Sequence, residues 1–141
     1  MPQVENSEIV RHVLQTLVDI SGRKTTQMQA VLTLSELIKK LEEKYVFLRH
    51  IEVKNVRYSE IDDPISVMSD IDGVESNDVG KALYDIIKTM NTNLGKEAGH
   101  FFIRELKNRL GDAYNSTMEE MGVDLGLMQL EFEVNEMTKK L

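Results

Sequence analysis

From Thr26 onward, Val31, Leu34, Ile38, Leu41, Tyr45 and Leu48 follow one another at steps of 3, 4, 3, 4 and 3. That spacing keeps all six on one seam of an α-helix, the arrangement that faces a partner helix. It predicts a helix from 26 to about 50, roughly 37 Å long at the α-helical rise. The preceding segment predicts a shorter neighbour over residues 7–21, roughly 22 Å, in which Ile9, Val10, Val13, Leu14, Leu17 and Val18 share a face. Asn6 or Ser7 can cap its start, and Gly22 can supply the left-handed residue at its end. The mismatch in length leaves part of the seam uncovered. Either two short helices lie end to end along the long one, or a second copy of the chain covers the excess.

The same periodicity recurs toward the C-terminus, where proline is absent after Pro64. Val79, Leu83, Ile86, Ile87, Met90 and Leu94 define one helix, with Ser76, Asn77 or Asp78 as cap and Gly95 at its end. Ala98, Phe101, Phe102, Leu106 and Leu110 define the next. Gly111 interrupts it, Asp112 can recap it, and Tyr114, Met118 and Met121 carry a short continuation to Gly122. A last helix begins near Asp124, where Leu127, Leu130, Val134, Met137 and Leu141 again step by 3 and 4, with Met128 and Phe132 widening the apolar face. The 141 residues leave room for one core, and the 42 Leu, Ile, Val and Phe side chains are enough to fill it. The expected fold is all-α: a single domain over 1–141, an antiparallel four- or five-helix bundle with a long acidic loop between helices 2 and 3.

Residues 51–58 are ambiguous. Ile51 and Val53 alternate, as do Val56 and Tyr58, which suits a short strand, but a lone strand has no ladder to join. A continuation of the helix or an extended tail is favoured. Were a strand to form, Leu130, Phe132 and Val134 would be its best partner.

Charge is unevenly spread. Residues 23–57 carry eight basic and four acidic side chains, whereas Glu60, Asp62, Asp63, Asp70, Asp72, Glu75 and Asp78 stand in 59–80 without one Lys or Arg. This stretch reads first as a solvated loop pinned to the bundle by Ile61, Ile65, Val67, Met68 and Ile71, and second as an acidic segment lying against the basic helix. The formal charge of −7 opposes nucleic-acid binding. No apolar run is long enough to cross a membrane, and the first residues lack an export signal, so a cytoplasmic location is expected. Without cysteine there is no disulfide, thiol nucleophile or thiolate metal site.

Motifs that would carry chemistry are incomplete. Glu97 and His100 stand three apart, as in di-metal bundles, but the pair occurs once and the remaining glutamates and second histidine are missing, so neither metal nor cofactor is expected. Asp70-Ile-Asp-Gly73 suggests an EF-hand loop, yet Val74, Glu75 and Lys81 then fall at positions 5, 6 and 12, where an oxygen ligand, glycine and glutamate are needed. No glycine-rich phosphate cradle or nucleophile elbow is present. His100 alone could act in phosphotransfer, although Ile103 and Arg104 stand where such motifs carry other residues. Phe101, Phe102 and Ile103 point around nearly the whole girth of a helix, so one of them should meet another layer or subunit.

The segments Ala98–Arg104, Leu110-Gly-Asp-Ala-Tyr114 and Gly122-Val-Asp-Leu125 resemble small uncharacterised archaeal proteins of the helical-bundle type. The resemblance implies a four-helix monomer that assembles into a larger bundle, and implies no activity. The expected function is therefore that of a homo-oligomeric assembly or protein-interaction module. Its expected interface is Val31, Leu34, Ile38, Leu41, Tyr45 and Leu48, with Phe101 and Phe102. The alternative is a histidine phosphotransfer or regulatory bundle acting through His100.

Overall fold

The computed structural model describes residues 4–24, 26–53, 65–93 and 102–139, with the side chains of 24, 27 and 135–139 excepted. The described chain is mostly helical, with five α-helices and one two-stranded sheet. Helix α1 (Asn6–Lys24) is the central element. Ile9, Val10, Val13, Leu14, Leu17, Val18 and Ile20 are all buried, a face too broad for one neighbour. Accordingly α2 (Gln27–Leu41), α3 (Ser76–Asn93) and α4 (Phe102–Glu120) all pack on α1. Helix α5 (Leu125–Lys139) packs against α4.

The N-terminus of α1 is capped from a distance. A 3-10 turn over Ser69–Gly73 brings Asp72 to it, so that the Ser7 backbone N–H donates to Asp72 Oδ1 at 2.7 Å and the Ser7 hydroxyl to Oδ2 at 3.1 Å. Asn6 Nδ2 donates to the carbonyls of Ile71 and Val74, at 3.2 and 2.8 Å. A carboxylate at this end also meets the positive end of the helix dipole. Asp72 therefore serves α1, not the basic second helix. Gly22 does not stop α1, which runs on to Lys24.

Helix α2 starts where expected, with the Thr26 hydroxyl accepting from the Gln29 N–H at 3.0 Å. It does not run to residue 50. It ends at Leu41, after roughly 22 Å, and a 3-10 turn over Val46–His50 follows. The reason is tertiary. A straight rod would carry Leu48 beyond α1, which is itself only roughly 28 Å long; by bending, the chain returns Leu48 and Ile51 to the core, where both are buried. The excess length is removed by the fold within one chain.

Residues 51–53 are neither helix nor tail. Strand β1 (Ile51–Val53) pairs antiparallel with β2 (Ile65–Val67), in the register Ile51 opposite Val67 and Val53 opposite Ile65. Ile51 and Ile65 face the core. The partner is thus the segment after Pro64; Leu130–Val134, the alternative partner, is helical. The link between α2 and α3 is accordingly more than a loop, since it holds two 3-10 turns and this sheet.

In α4 the backbone leaves helical geometry at Gly111, whose φ of 78° and ψ of 170° belong to a region open to glycine alone. The Asn115 side-chain amide donates across this kink to the Lys107 carbonyl at 2.8 Å. The helix closes at Gly122, φ 93°, with the Val123 N–H reaching the Met118 carbonyl at 2.8 Å and the Gly122 N–H reaching that of Glu119 at 3.0 Å. This is a Schellman ending. Asp124 then caps α5, accepting from the Leu127 N–H at 3.1 Å.

Candidate functional site

The seam on α2 is covered by its own chain. Val31, Leu34, Ile38 and Leu48 are buried, and Leu41 and Tyr45 are half-buried against the same core. Phe102 is buried as well, with Ile103 beside it. Phe101 and His100 lie outside the described residues, so the phosphotransfer reading acquires no geometry.

The uncovered seam is on α5. Leu127, Leu130 and Val134 are 52, 55 and 51% exposed. They stand at i, i+3 and i+7, on the side of α5 turned away from buried Leu125 and Met128. An isolated exposed leucine is ordinary; three at helical spacing form a continuous apolar stripe, which is not. The sequence shows the step of 3 and 4 on both α2 and α5. Only the packing distinguishes a seam used inside the chain from one left open.

A cleft of about 480 Å³ lies where the end of α2 meets α3 and the turn after α4. Lys44, Tyr45, Lys81, Tyr84, Asp85 and Met121 line it. Tyr45 and Lys44 both donate to Asp85 Oδ2, at 2.7 and 3.3 Å. Burial first, then the bond to Asp85, raises the Tyr45 hydroxyl above its ordinary pKa, so it remains a protonated donor. The bond to Asp85 likewise holds Lys44 in its charged form. Tyr84, also raised by burial, sends its hydroxyl toward Glu131 of α5 at 3.5 Å. Helix periodicity could have found this cleft, because Lys81, Tyr84 and Asp85 stand at i, i+3 and i+4 on the polar side of α3. What the sequence could not show is that Lys44 and Tyr45, just past the end of α2, meet that face.

Other titratable groups stand apart from both features. His12 stacks on Tyr114 at 4.1 Å between ring centroids, and the Tyr114 hydroxyl donates to Glu8 at 3.0 Å. His50 Nδ1 stands 4.0 Å from Asp70. Among the described residues no group of three His, Cys, Asp or Glu is placed to hold a metal, and no helix is long and apolar enough to cross a membrane.

Compared with known proteins, the chain matches no family model, no curated protein and no solved structure at a significant level.

Proposed function

We propose that the chain is a cytoplasmic helical-bundle module that self-associates through the exposed face of α5. The observation that carries this reading is the stripe Leu127, Leu130 and Val134, each about half exposed in the single chain. Its spacing is the one by which a helix packs against a copy of itself, with side chains of one seam entering gaps in the other. In sequence the same steps of 3 and 4 continue to Met137 and Leu141. The face then performs assembly, bringing two or more bundles into a fixed relation.

Sedimentation velocity over the micromolar range tests this. Wild-type protein should sediment as a dimer or larger species, and Leu130→Glu should sediment as a monomer with unchanged helical circular dichroism. A wild-type monomer throughout that range removes the proposal.

A further inference from the structure

We propose that the cleft between the end of α2 and α3 binds a small carboxylate that carries an aromatic body. This goes beyond self-association and does not depend on it.

The charge of the lining selects the anion. Lys44, Lys81 and Asp85 together leave one positive charge. Asp85 Oδ2 accepts from both Tyr45 and Lys44, so the carboxylate's charge is already matched by the Lys44 ammonium within the lining. Lys81 makes no ion pair among the described residues and is the cation free to receive a ligand. A single uncompensated positive charge beside a carboxylate suits a monoanion; a phosphoryl dianion would add repulsion from Asp85 without a second free cation to offset it.

The remainder of the lining selects the body. Tyr45 and Tyr84 present aromatic surface, which takes flat rings well. A volume of about 480 Å³ lies within the range of small-molecule sites. The turn at Gly122 borders the cleft, and an added Cβ there would meet nothing within 4 Å, so that side is open to a ligand.

Titration of the full-length protein with sodium phenylacetate, followed by amide chemical shifts, tests the assignment. Saturable shifts are expected at the backbone amides of Gly80, Lys81 and Gly122, and Lys81→Gln should weaken binding about five- to tenfold, the loss expected for one charge-assisted contact. Lys81 is exposed, so the variant should keep its fold, which the remaining amide spectrum checks. Phenylacetamide should bind more weakly than phenylacetate. Absence of saturable shifts at these amides overturns the proposal, as does equal binding by Lys81→Gln or by the amide. Tighter binding of phenyl phosphate overturns the choice of a monoanion. The titration repeated on Leu130→Glu should give the same result, so failure of this cleft and failure of self-association are read separately.

Discussion

Individual side chains hold this fold together at places where backbone groups would otherwise be stranded. Asn6 is the clearest case. Its amide serves two carbonyls of the segment around the second 3-10 turn, and the Ser76 hydroxyl donates to its Oδ1 at 3.3 Å, so one buried residue ties α1, that turn and α3. Asn6→Ala would leave the Ile71 and Val74 carbonyls without this donor, and the expected cost is about 1–3 kcal/mol in urea unfolding. The Tyr45 hydroxyl gives a second prediction, in pH. Its folded-state pKa is raised above 10.0, so its contribution is fully present below that value and is lost as pH rises through the folded-state pKa. Stability should therefore fall as the solution is taken above pH 10.0. Tyr45→Phe should make that fall shallower without abolishing it, since Tyr84 and Tyr114 are also raised. Urea midpoints of both proteins, at neutral pH and in the alkaline range, check this.

At the level of elements, the close approach of α3 to the turn after α4 depends on Gly80. A Cβ at that position would overlap the Met121 carbonyl, which is backbone and cannot swing aside. Gly80→Ala should cost about 1–3 kcal/mol, the usual penalty for overpacking, against the small gain an exposed helical Gly→Ala change would bring. Sign and size can be read from a denaturation curve. Elements of this kind were partly legible in the sequence. The starts of α2 and α5 follow from Thr26 and Asp124, the kink from Gly111 and the ending from Gly122, because each is a local matter of a capping oxygen or a permissive backbone. The end of α2 was not legible. Glu42, Glu43 and Lys44 contain no helix breaker, and the chain turns there because its neighbour is too short to cover a longer rod. The β1–β2 pairing was missed for a related reason: three residues on each side carry too little pattern to announce a strand until Ile51 and Ile65 are seen to share the core. The cap on α1 was not legible: the Asn6 and Ser7 side chains were expected to accept from first-turn amides but donate instead to the segment around the second 3-10 turn, and the acceptor that caps the Ser7 N–H, Asp72, stands 65 positions away.

For the whole molecule, the choice between an apolar seam turned inward and one turned outward decides how the chain meets its surroundings. The seam of α2 satisfies itself inside one chain. That of α5 does not: it packs on α4 through Leu125 and Met128 and leaves Leu127, Leu130 and Val134 in solvent. Hydrogen exchange of the backbone amides, followed as protein concentration is raised through the micromolar range, reads this difference directly. Exchange at Leu127, Leu130 and Val134 should slow with concentration, as expected when a partner covers α5. Exchange rates in α5 that are independent of concentration would contradict self-association through that face.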